Sequence, residues 1–415
     1  MALPEVVIGV GSGLGRQTPN QDNVCGMVMQ GVATTATSTT AALALGAIVE
    51  LNGVSDAEGY GLNTAYDTTN GVLVYHHISR FFSRNKSAKL FLMLVAQTVT
   101  LTQICTRTQP YLKALLSSSL AAGRIRQAAV CLNPLSSYTG TLTGGLDGDV
   151  ITAIPKAEEI AAEEFSLFRP VVILVEGRRF NGTATAATDL RTLNAPNVGV
   201  VIAQDKAVAD ALGNVPNKYY AAVGDVLGLM SAAPVNESLG WVDKYPLTDT
   251  LTGRFNTCGL SSNVDISSHE ADYSTLHDKG YIFALPRVGR PGFYLNGSSS
   301  CVLISNDRAY LENSRVVNKA ARIVRTVLVG HINRPIPLTR DGKMEPAIKS
   351  GIESAAKAAL TNQMQNAGEI SDCAVAIDGN HNFITNGEQF DVQFDIVPVG
   401  VARRISATIT LTKNL

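Results

Sequence analysis

Three runs in the first half of the chain carry no charged or polar side chain: Leu90-Phe91-Leu92-Met93-Leu94-Val95, Val171-Val172-Ile173-Leu174-Val175 and Val198-Gly199-Val200-Val201-Ile202. A strand without polar alternation needs cover on both faces, which a sheet with one wet face cannot give it. Ala128-Ala129-Val130-Cys131-Leu132 reads as a fourth strand of this kind. Helical text lies between and around them at 54–84, at 154–168 with Glu158, Glu159, Glu163 and Glu164, and at 219–232. Buried strands alternating with helices predict a layered α/β domain with a largely parallel sheet.

The last third reads differently. Residues 264–297 are rich in Gly, Pro, Asn and Ser and predict loops or irregular β-structure. A helix is expected over 308–328, capped by Ser305 or Asn306, with Val317, Ala320, Ala321, Val324 and Val327 on its apolar face. Arg308, Arg315 and Arg322 recur every seven residues on another face, with Lys319 and Arg325 close by. That stripe is either a solvated face or a docking surface for an acidic partner. A second helix is expected over 344–365, with Ile348, Ile352, Ala355, Ala359 and Leu360 facing inward and Gly368 as its stop. Glu345, Lys349, Glu353 and Lys357 form a ladder of alternating sign along it.

Two clean alternations close the chain. Phe390, Val392, Phe394 and Ile396 alternate with Asp391, Gln393 and Asp395, and Ile405, Ala407, Ile409 and Leu411 alternate with Ser406, Thr408, Thr410 and Thr412. Each predicts a half-buried strand. The second ends so near residue 415 that it must find a partner, inside or outside its own chain.

Several function classes lose their footing. Lys plus Arg number 34 against 35 for Asp plus Glu, so no global field attracts nucleic acid or an anionic membrane. Charged residues are 17% of the chain, below the usual ~25%, which suits a protein that hides surface in an assembly. The six cysteines lie far apart without CxxC or zinc spacing and predict buried thiols from a reducing compartment. The opening lacks a basic, cleavable leader, and the apolar runs fall far short of the ~20 residues of a membrane span. A soluble protein made in the cytoplasm, with no membrane insertion, is therefore expected.

The glycines at 9, 11, 13 and 15 miss GxGxxG spacing, and no P-loop, HExxH or GxSxG is present. His269-Glu270-Ala271-Asp272 with His277 is the one cluster resembling a metal site, and it reads as an exposed loop. No catalytic, cofactor-binding or metal residues are assigned.

In order along the chain, several segments resemble the contractile tail sheath proteins of phages, bacteriocins and phage-like injection systems. These are Asp56-Ala57-Glu58-Gly59-Tyr60-Gly61, then Ser79-Arg80-Phe81-Phe82-Ser83-Arg84-Asn85 before the strand ending at Val95. Ala221-Ala222-Val223-Gly224 with the Leu239-Gly240-Trp241 turn follows, then Leu276 to Gly280 with Arg287, Arg290 and Tyr294-Leu295-Asn296. The stretch from Gly368 through Cys373-Ala374-Val375-Ala376-Ile377-Asp378 to the closing strands is similar in layout.

The resemblance implies a multi-domain α/β sheath-like core with a C-terminal α+β domain whose sheet is augmented by neighbours' terminal strands. The division it suggests is an N-terminal arm at 1–20, sheath core at 21–95, α/β middle domain or domains at 96–265, C-terminal core at 266–403 and a strand arm at 404–415. Strand arms would be Val6, Val7 and Ile8 at one end and Ile405, Ala407, Ile409 and Leu411 at the other. The receiving strand would hold Phe390, Val392, Phe394 and Ile396, with 397–404 as a hinge. Contact with an inner tube is expected from Arg308, Arg315, Arg322, Lys349, Glu353 or Lys357.

Partners would be further copies of the chain, the inner tube protein, and baseplate and tail-terminator proteins, with no nucleic acid. The product would be part of a virion tail or contractile particle. Two alternatives stay open: a non-contractile capsid-like or tail-like assembly protein, and an α/β enzyme built around 269–277.

Overall fold

The computed structural model describes residues 21–213, 216–385, 387 and 389–406. Seven strands form the central sheet: β1 (Val24–Gln30), β2 (Ile48–Leu51), β3 (Lys89–Val95), β4 (Gln127–Cys131), β5 (Val172–Glu176), β6 (Val198–Val201) and β7 (Tyr281–Ile282). Their order is β7-β6-β5-β4-β1-β3-β2. All neighbours are parallel except the edge pair β2 and β3. Every residue of β1, β4, β5 and β6 is buried, as strands lacking polar alternation require.

An interior strand, β1, which lies between β4 and β3, was not foreseen. Its sequence Val24-Cys25-Gly26-Met27-Val28-Met29-Gln30 follows a Gly/Asn/Gln-rich stretch, and two methionines and a glycine weaken its β-signal. The sheet also draws strands from both sides of residue 95, so the division expected there falls inside one sheet. All six cysteines are buried and unpaired.

Helix α1 (Val74–Arg84) is the last of three short helices in the 54–84 region. It packs against α3 (Val223–Ala232), and the close approach comes from Gly224 and Gly228. A Cβ at Gly224 would lie 2.5 Å from the His77 carbonyl oxygen, and one at Gly228 would lie 2.7 Å from that of Phe81. Two ion pairs anchor the same helix, Arg80 to Asp205 at 2.6 Å and Arg84 to Asp225 at 2.7 Å. Burial pushes the His77 imidazole down to about 4.

Helix α2 (Gly148–Ser166) starts earlier than expected and tolerates Pro155 inside it. A small hairpin, β8 (Ala284–Arg287) and β9 (Arg290–Leu295), follows the sheet. The C-terminal region consists of α4 (Leu311–Leu328), α5 (Pro346–Leu360) and an antiparallel pair, β10 (Ile370–Ile377) and β11 (Val392–Pro398).

Helix α4 starts three residues later than expected, at Leu311. The Asn306 side chain accepts from the Arg308 amide instead of capping the helix. Helix α5 gives way to a π-turn at Thr361–Gln365 and stops at Gly368, whose φ of +73° is the left-handed geometry expected of a stop. Ala355 is exposed and Ala356 buried, one residue out of register with the expected apolar face.

Candidate assembly interface

In an open α/β sheet, a ligand ordinarily sits at the carboxyl ends of the strands where their order reverses. Here side chains of the protein fill that place. Asn133 receives from the Leu73 amide on its Oδ1 at 2.8 Å and donates from Nδ2 to the Gln30 carbonyl at 2.8 Å. Its own amide donates to Gln30 Oε1. The Glu176 carboxylate accepts from the amides of Leu132 and Ala221 and lies 3.5 Å from Arg178. All four of these side chains are buried.

His269 is buried too, against the expectation of an exposed loop, because Phe180 packs on its ring. Its Nδ1 is 3.1 Å from Asp272 Oδ2, whereas His277 meets Asn296. Among the described residues, no group of three or more His, Cys, Asp or Glu is arranged to hold a metal ion, and no helix is long and apolar enough to cross a membrane.

The unusual surface lies around α4. The arginine stripe turns inward rather than to solvent or a partner. Arg315 Nη2 donates to the carbonyls of Met230 and Ala233, both at 2.8 Å, and Nη1 to that of Pro234 at 3.2 Å, capping the end of α3. Arg322 pairs with Asp22 at 2.5 Å. Arg308 donates to the Asn197 side chain and to Ser314. These guanidinium groups are spent inside the chain, and burial holds all three below the usual arginine range.

The predicted apolar face of α4 is divided: Ala320 is buried and Val324 packs against the core shared with α5 and β10, Ala321 and Val327 are half-buried, and Val317 is exposed. Val317, Ala320, Ala321, Val324 and Leu328 line an open groove of about 1170 Å³. Phe165 and Phe168 at the end of α2 and Phe394 and Ile396 of β11 line it as well. Phe168 is 56% exposed and Ile304 at the rim 63%. The Arg325 guanidinium stacks 3.5 Å over the Phe168 ring.

Among the described residues, strand β11 pairs with β10 along one edge only, and its Phe394 and Ile396 line the groove. The predicted alternation is present: Val392, Phe394 and Ile396 are half-buried, and Gln393 and Asp395 exposed. Phe390 precedes the strand and packs with Phe383 in a separate small cluster. Ile405 is 84% exposed and outside any strand. Val6, Val7, Ile8, Ala407, Ile409 and Leu411 lie outside the described residues.

On α5, Lys349 is 3.8 Å from Glu353, which also accepts from the Ile377 amide and so ties the helix to β10. Lys357 is exposed.

The chain matches the model described as DUF2586, N-terminal domain, over residues 5–299 and the one described as DUF2586, C-terminal domain, over 307–415. No curated protein matches it by sequence. Among solved structures, it resembles the helical sheath of the anti-feeding prophage in its contracted state. The TM-score is 0.59 at 14% identity, covering 99% of this chain and 100% of that one.

The sheath of the extracellular contractile injection system PVC, also contracted, gives a TM-score of 0.54 at 12% identity, with 100% and 98% covered. The sheath tail protein of Desulfitobacterium hafniense gives 0.51 at 9% identity, with 95% and 100% covered. The chain belongs to the DUF2586 family, and its fold is that of the contractile sheath proteins.

Proposed function

We propose that this protein is the subunit of a contractile sheath. It polymerises into a helical tube around an inner tube and contracts to drive that tube through a target envelope. The observation that carries the reading is the open apolar groove lined by Val317 and Leu328 of α4 with Phe165 and Phe168, together with β11, which among the described residues is paired along one edge only. The face that lines the groove leaves Val317 37%, Phe168 56% and Ile304 63% exposed in a lone subunit, and each exposed apolar Å² forgoes about 25 cal/mol. A strand from a neighbouring copy that hydrogen-bonds to β11 would cover that face and extend the sheet.

The alternation at Ile405, Ala407, Ile409 and Leu411 supplies such a strand, and Val6, Val7 and Ile8 supply a second. Contact with the inner tube falls to α5, through Lys349, Lys357 and Glu353, because Arg308, Arg315 and Arg322 are engaged inside the chain. Baseplate and tail-terminator proteins would meet the ends of the tube, and the particle would be assembled in a bacterial cytoplasm.

The test is a chain lacking residues 404–415. Its thermal midpoint should stay within about 2 °C of the full chain, since surface changes cost little, while electron microscopy at high concentration should show no tubes. Tubes of normal length from the truncated chain would refute strand exchange through this end.

A further inference from the structure

Helix α4 carries a buried charged seam, Glu312, Arg315, Lys319 and Arg322, at spacings of three and four residues that keep one helical face. Both ends of the described chain are tied to it. At the N-terminal side, Asp22 pairs with Lys319 at 2.8 Å and with Arg322 at 2.5 Å, immediately before β1. Lys319 also meets Glu369 at 2.7 Å, at the start of β10.

At the C-terminal side, the chain leaves β11 and crosses to the other end of the helix. There Arg403 pairs with Glu312 at 2.5 Å and stacks 3.3 Å over the Tyr310 ring. Glu312 is buried and also accepts from Ser298. The stretch 397–404, expected as a hinge, is thus clasped to the helix at Arg403.

The two attachment points are ten residues apart on α4, or about 15 Å at 1.5 Å per residue. Arg315 sits between them and holds the end of α3. We propose that this seam is a mechanical relay: α4 couples the roots of the two terminal segments, so that loosening one loosens the other. A rigid helix with charge pairs at both ends of one face is a suitable carrier, because displacing it strains every pair along the seam.

The use of such a relay in an assembly rests on the sheath reading. Its existence does not, and the test is run on the dilute, unassembled chain.

Trypsin reports the C-terminal clasp, because it must draw the Arg403 guanidinium away from Glu312 before cutting after it. Mass analysis separates that cut from one after Arg404. Native Cys25, buried three residues from Asp22, reports the N-terminal root through its rate of thiol modification. Buried Cys131 in β4 reports global opening.

Asp22→Asn should speed cleavage after Arg403 by about fivefold or more, the lower end of ordinary coupling, with Cys131 unchanged. Since coupling free energies are reciprocal, Arg403→Gln should in turn speed modification of Cys25, again by about fivefold or more. Unchanged rates in both variants would overturn the relay and leave the sheath reading standing. If Asp22→Asn exposes Cys131 as well, the Arg403→Gln arm decides alone, because Arg403 is partly exposed and its loss leaves the core intact.

Discussion

Gly224→Ala is expected to lower the unfolding free energy by about 3 kcal/mol, the upper end of ordinary overpacking. The new methyl would sit 2.5 Å from the His77 carbonyl oxygen and 2.9 Å from its Cα. Both are backbone atoms, so no rotamer change relieves the clash, and α1 cannot retreat because Ile78 and Phe81 on it are fully buried.

Urea unfolding checks this as a shift of midpoint at constant slope. Gly351→Ala in α5 is the control, since its Cβ would meet nothing within 4 Å. There the same change should stabilise the protein by about 0.5–1 kcal/mol through helix propensity. Equal effects at the two glycines would mean that α1 and α3 do not pack as described.

Asp205→Ala should cost about 3–5 kcal/mol, as breaking one side of a buried ion pair does. The Asp205 carboxylate accepts from Arg80 at 2.6 Å and from the Phe255 amide at 2.9 Å. Its removal leaves a buried guanidinium and an amide without that partner. The adjacent residue gives the comparison: Lys206 pairs with Asp210 at the surface, and Lys206→Ala should change stability by no more than about 0.5 kcal/mol. Thermal melts of the two variants separate burial from charge, because both remove one member of an ion pair within a residue of each other.

These sites show what kind of statement the sequence supports. Gly224 and Gly228 fall in the helical stretch expected at 219–232, yet nothing in the sequence said which helix would lie against them. The partner α1 is some 140 residues upstream. Strands β3, β4, β5 and β6 were legible because unbroken apolar runs admit few other fates. Strand β1 was not, because glycine and methionine in a short run carry little β-signal, although it is paired on both sides inside the sheet. Likewise, β10 was quoted only within the resemblance. Its burial follows no strict alternation, and a bulge lies near Asp372.

Helix α4 marks the boundary most clearly. By itself the sequence determined that a helix forms there, that one face is apolar and that another is cationic. Periodicity measures the contrast between faces and is indifferent to which of them turns inward. Only the tertiary structure decided that, by offering the arginines the open carbonyls at the end of α3 and the Asp22 carboxylate, partners stronger than water can replace once buried. It also divided the apolar side, burying Ala320 and Ile323 with Leu360 and Met364 and leaving Val317 exposed at the groove.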